Sequence, residues 1–89
     1  MTADDPATFT IGYTLEAVAA RTDHSLVFVA EARATNRRVA IKVARDAQGG
    51  DALRREIQAL RGLRHPHVIE LLEAKAIGNP WMVTPLAVT

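Results

Sequence analysis

The chain has no cysteine, and this one absence removes disulfides, thiolate metal sites and cysteine nucleophiles together. A reducing, cytoplasmic setting is expected on that ground. No stretch approaches the ~18 consecutive apolar residues of a membrane span. The first ten residues carry Asp4 and Asp5 where a signal peptide needs basic residues and an apolar run. No membrane partner is expected. Excess charge is missing too: 11 Lys and Arg against 10 Asp and Glu leave a formal +1, too little to draw in nucleic acid by bulk electrostatics. Lysine is scarce, present only at Lys42 and Lys75, so arginine supplies nearly all the positive charge. The sequence also has no internal repeat and no low-complexity tract.

What is present suits a small folded domain. With 89 residues, 48% of them hydrophobic, the chain is expected to form one domain with one core, burying about 60–65% of its unfolded surface. Residues 1–9, acidic and small with Pro6 among them, read as a flexible leader. Residues 10–89 read as the folded unit. From Phe9 to Ala20 the apolar positions Phe9, Ile11, Tyr13, Leu15 and Val18 give a first strand with one interruption. Arg21–Ser25 is a polar turn, Leu26–Ala32 a second strand rich in β-formers, and Arg33–Arg38 a connection with Asn36 placed for a turn. Val39–Ala44 is the third strand. Gly49-Gly50 predicts a flexible link. Asp51 then predicts a helix N-cap, with Leu53, Ile57, Leu60 and Leu63 as the apolar stripe, Ala52 and Ala59 alongside, and an end near Gly62. Val68–Ala76 and a segment starting at Trp81 complete a fold of three strands, one helix and two strands. The expected class is α+β: a five-stranded antiparallel sheet with one principal helix.

Val39-Ala40-Ile41-Lys42 is the stretch that demands explanation. Val39, Ile41 and Val43 alternate with Ala40, Lys42 and Ala44, so one strand face is branched and the other is small except for a single ammonium group. An unpaired, half-buried charge is poorly tolerated, and Glu56, fourteen positions on, is the obvious anion. A flat ligand would fit on Ala40 beside Lys42. The three histidines, His24, His65 and His67, have no carboxylate or histidine partner at helical spacing and read as structural or exposed rather than metal-binding. Arg54, Arg55, Arg61 and Arg64 read as a solvated helix face, and Trp81 as packing.

These residues, in this order, resemble the N-terminal lobe of a eukaryotic-like (bacterial-type) Ser/Thr protein kinase. Val39-Ala40-Ile41-Lys42 is similar to the family's strand-three lysine motif. Glu56, within Arg55-Glu56-Ile57-Gln58-Ala59-Leu60, is similar to the glutamate of helix C. Leu63-Arg64-His65-Pro66-His67-Val68-Ile69-Glu70-Leu71 is similar to the link into strand four. The resemblance implies that Lys42 contacts the α and β phosphates of ATP and that Glu56 orients it through an ion pair. It further implies that Val27 and Ala40 sandwich the adenine, that Leu60 belongs to the spine joining helix to sheet, that Thr84 is the gatekeeper, and that Pro85-Leu86-Ala87 is the hinge. Ala20, with Thr22 and Ser25, stands where the glycine-rich turn over the phosphates would be.

In the family that turn reads Gly-x-Gly-x-x-Gly-x-Val; here all three glycines are replaced, so weak triphosphate binding is expected. The 89 residues also hold no His-Arg-Asp loop and no Asp-Phe-Gly metal site, so magnesium would be held only together with a C-terminal lobe, and no catalytic competence is expected of this chain alone. Two functions follow as expectations. The first is the ATP-binding half of a Ser/Thr protein kinase, partnered by its own C-lobe. The second is a solo pseudokinase-like lobe that acts as an interaction or regulatory module, on another kinase-like protein or as a homodimer.

Overall fold

The computed structural model describes residues 12–62 and 71–86. The leader, the Leu63–Glu70 part of the link, and Ala87 lie outside the described residues.

Among the described residues, five strands and one helix follow in the order β1 (Tyr13–Arg21), β2 (Ser25–Ala32), β3 (Arg37–Ala44), α1 (Ala47–Gly62), β4 (Glu73–Lys75) and β5 (Trp81–Pro85). The strands form one sheet in the order β1-β2-β3-β5-β4 with every pairing antiparallel. The fold is thus α+β. Chain reversals fall where the sequence marks them: Asn36 and Gly78 take φ of 58° and 76°, values that asparagine and glycine tolerate better than most residues.

β3 is central, flanked by β2 and β5, and its alternation divides the sheet into two faces. Val39, Ile41 and Val43 are buried with Ala30 and Val83 on one face, with Leu15, Leu26, Phe28 and Trp81 packed around them. On the other face α1 sets Leu53 and Ile57 onto Met82, with Leu60, Ala44, Leu71 and Ala74 around that cluster. Ile41 and Ile57 are both fully buried, and each is worth about 2–3 kcal/mol in apolar transfer. Ala52 and Ala59 are exposed, so the stripe is narrower than the sequence suggests.

Three expectations are corrected. The helix begins at Ala47 rather than after Asp51, and the cap is Asp46, whose Oδ1 accepts the Gly49 amide at 2.7 Å. Gly49 and Gly50 are buried in the first turns of that helix and do not form a flexible link. A Cβ built on Gly49 would stand 2.0 Å from the His24 carbonyl oxygen, so the glycine is there for close approach, not for freedom. In the third correction, β4 covers only Glu73–Lys75. Leu71 and Leu72 are not in strand conformation. β1 also departs from a regular ladder, with register shifts between Leu15 and Ala17 and between Val18 and Ala20; such irregularities bend and twist a strand locally.

Candidate functional site

The site is built from the face of β3 opposite the branched core. Directly paired residues share a face, so the antiparallel registers place Ala20, Val27, Lys42, Met82 and Ala74 in one cross-strand row. The adjacent row holds Val29, Ala40 and Thr84. Met82 lies under Leu53 and Ile57, which identifies this as the face that α1 partly covers. Beside the helix, Val27, Val29, Ala40 and Thr84 remain half-buried and make a shallow floor of small and branched side chains.

Glu56 reaches this floor because of its place on the helix. It lies three residues after Leu53 and four before Leu60, at the flank of the inward stripe. Lys42 Nζ donates to Glu56 Oε1 at 2.9 Å, with the two side chains 33% and 42% exposed. At that exposure the pair contributes about 0.5–1 kcal/mol to stability. Its larger effect is positional, since it orients the ammonium group along the floor instead of away from it.

Arg54 holds the same helix from another side. Its Nε donates to the Ala76 carbonyl at 2.8 Å, its Nη2 to the Gly78 carbonyl at 3.0 Å, and its Nη1 to Asp51 at 2.9 Å. It is a half-buried clamp between α1 and the β4–β5 turn, and so departs from the solvated helix face read from sequence. The arginine fork suits this task because its donors are fixed in one plane.

The β1–β2 turn is held from within and from outside. Thr22 Oγ1 accepts the amides of His24 and Ser25 at 3.3 and 2.9 Å and lies 2.8 Å from the Ser25 hydroxyl. The Thr22 amide donates to the Ser25 carbonyl at 2.9 Å. From outside, the Arg45 guanidinium donates to the Thr22 carbonyl at 2.6 Å and the Arg45 amide to the His24 carbonyl at 2.8 Å. His24 Nδ1 lies 2.7 Å from Asp46 Oδ2. Asp46 therefore serves the helix with one oxygen and the turn with the other. The Gly49 amide first, and His24 second, hold its carboxyl below the usual carboxylate range.

Of the residues that the resemblance marks for nucleotide contact, Val27, Ala40, Lys42 and Thr84 share the one face. Ala20 lies at the exposed outer end of the row. The Leu86 amide donates to the Arg38 carbonyl at 3.3 Å, extending the β3–β5 pairing, so that donor is engaged within the protein. His24, Asp46 and Gly49 escaped the sequence reading because their contact joins positions 22 or more residues apart. Asp46 three residues before a buried glycine was the available signal. Among the described residues no group of three His, Asp or Glu side chains is placed to hold a metal ion, and no described helix is long and apolar enough to cross a membrane. No protein-family model matches the chain, and no curated protein matches it.

Proposed function

We propose that the chain is a protein-kinase-type N-lobe that supplies the nucleotide-facing wall of a Ser/Thr phosphotransfer site. The observation that carries this reading is the 2.9 Å contact between Lys42 and Glu56, which joins the central strand to α1 beside a floor of Val27, Ala40 and Thr84. A lysine so placed can meet a phosphate while a purine lies on the small side chains next to it. Phosphoryl transfer itself needs a general base and metal-binding carboxylates from a second lobe, in the same or another polypeptide. The test is thermal unfolding with Mg-ATP. At ten times the dissociation constant, binding stabilises by about 1.4 kcal/mol, and Lys42→Met is expected to abolish most of the upshift. An unchanged midpoint at millimolar nucleotide would sink the proposal.

One observation favours a second reading, a lobe that works by gripping another protein. β1 is an edge strand, and Ala17, Val18, Ala19 and Ala20 on it are exposed, Val18 by 50%. Exposed apolar edge strands invite pairing with a further chain. Sedimentation equilibrium decides this case: a dimer that Val18→Lys dissociates supports it, and a strict monomer at high concentration removes the homodimer form.

A further inference from the structure

We propose that this lobe grips a nucleotide by its base and by the one phosphate nearest Lys42, and that the β1–β2 turn is closed to the outer phosphates. The inference rests on the nucleotide reading above and specifies its ligand class: an adenine nucleoside monophosphate is held about as well as the triphosphate.

A turn binds phosphate by presenting free backbone amides at close range. Here three of the four amides from Thr22 to Ser25 are already engaged, leaving that of Asp23. Those of His24 and Ser25 point to Thr22 Oγ1, and that of Thr22 to the Ser25 carbonyl. The start of α1, the other source of free amides nearby, is capped in part: the Gly49 amide goes to Asp46 Oδ1 and the Gly50 amide to the Asp46 carbonyl at 2.9 Å. Charge at the turn is mixed and gives no strong alternative attraction. Asp23 is exposed at the tip, and the Asp46 carboxylate stands between His24 and the helix. Of the flanking cations, Arg21 is exposed and Arg45 is bonded to the Thr22 carbonyl.

The closed state is also hard to leave. Gly49 packs against the His24 carbonyl, and that carbonyl accepts the Arg45 amide; opening the turn separates these groups and breaks the His24–Asp46 contact with them. Lys42 has three N–H donors and gives one to Glu56. It can therefore meet a single phosphate beside the floor, and the engaged amides of the turn do not extend that grip outward.

The experiment is an NMR titration of the full 89-residue chain with adenosine, AMP, ADP and ATP, all without magnesium. ADP and ATP are expected to bind within about threefold of AMP. ATP binding more than about tenfold tighter than AMP would overturn the closed turn while leaving the nucleotide reading intact. No binding by any of the four would overturn both. A second arm uses Thr22→Gly, which frees the His24 and Ser25 amides. The ATP preference over AMP is expected to rise at least about fivefold; a folded variant with an unchanged ratio counts against the mechanism. If that variant does not fold, the parent series alone decides.

Discussion

Gly49→Ala is the sharpest available perturbation, because local and tertiary physics predict opposite signs. Within a helix, alanine is preferred to glycine by about 1 kcal/mol, so helix propensity alone makes the variant more stable. Tertiary contact makes it less so. The added Cβ would stand 2.0 Å from the His24 carbonyl oxygen and 3.0 Å from its carbon, and both are backbone atoms that cannot rotate away. Turn and helix would have to separate by more than an ångström. That separation disturbs the exposed His24–Asp46 contact and removes the hydrogen bond from the Arg45 amide to His24, the latter worth roughly 1 kcal/mol net. Local crowding adds about 1–3 kcal/mol. After subtracting the propensity gain, a net loss of about 1–3 kcal/mol remains, a fall of roughly 5–20 °C for a domain of this size. Gly50→Ala is the matched control. The atoms nearest its Cβ belong to the Arg54 guanidinium and the Pro80 ring, no closer than 3.6 Å, and it is expected to be neutral or to stabilise by up to about 1 kcal/mol. Urea unfolding followed by the fluorescence of Trp81, the single tryptophan, gives both values. If Gly49→Ala matches or exceeds the parent while the urea dependence is unchanged, the close approach of turn and helix is wrong.

The remaining predictions concern charge. Tyr13, the single tyrosine, has its hydroxyl pushed up to about 12, first by burial and then by its hydrogen bond to Glu73. Its stabilising contribution is therefore complete below the ordinary value of 10 and is lost as pH rises through about 12. Tyrosinate absorbance should titrate near that upper value, and Glu73→Gln should bring it only part of the way back, since burial persists; a midpoint at 10 in the parent refutes the contact. Asp46 works at the other end. Its carboxyl is held below the ordinary 3.8, so its contribution is present above that pH and disappears as pH falls below it. Asp46→Asn should flatten this acid limb in a pH series of urea midpoints, and an unaltered limb would show that the carboxylate does not fasten turn to helix. For Lys42 and Glu56, a double-mutant cycle with Lys42→Met and Glu56→Gln should give a coupling of about 0.5–1 kcal/mol that shrinks with added salt. A coupling indistinguishable from zero at low salt rules out an intact pair in solution.

The parts of this fold that were legible in the sequence are those in which one local rule decides. The alternation at Val39–Ala44 named both faces of β3, and the register then set Val27, Ala40 and Thr84 on the lysine's face. Leu53, Ile57 and Leu60 named the inward side of α1, and with it the flank from which Glu56 meets Lys42. The parts that were not legible depend on distant partners. Gly49-Gly50 reads as a breaker from propensity alone, yet it lies inside a helix because the His24 carbonyl occupies the space a Cβ would need. Arg54 reads as a surface charge until the carbonyls of Ala76 and Gly78, more than twenty residues away, supply its partners. Thr22 and Ser25 read as standing in for glycines of the turn, and the structure turns the Thr22 hydroxyl inward onto the turn itself.

These distant contacts also settle the order of cause and effect at the candidate site. Helix α1 is fixed at its start by Asp46 and Gly49 against the β1–β2 turn, along its length by Leu53 and Ile57 on Met82, and on its flank by Arg54 on the β4–β5 turn. None of these anchors involves Lys42. Together they exceed what a half-exposed ion pair contributes, since burying Leu53 and Ile57 alone is worth several kcal/mol against about 1 kcal/mol for the pair. Glu56 therefore arrives at Lys42 because the helix is already placed, and the pair follows from the helix position instead of creating it. The lysine's direction is thus set by packing and capping residues of the helix.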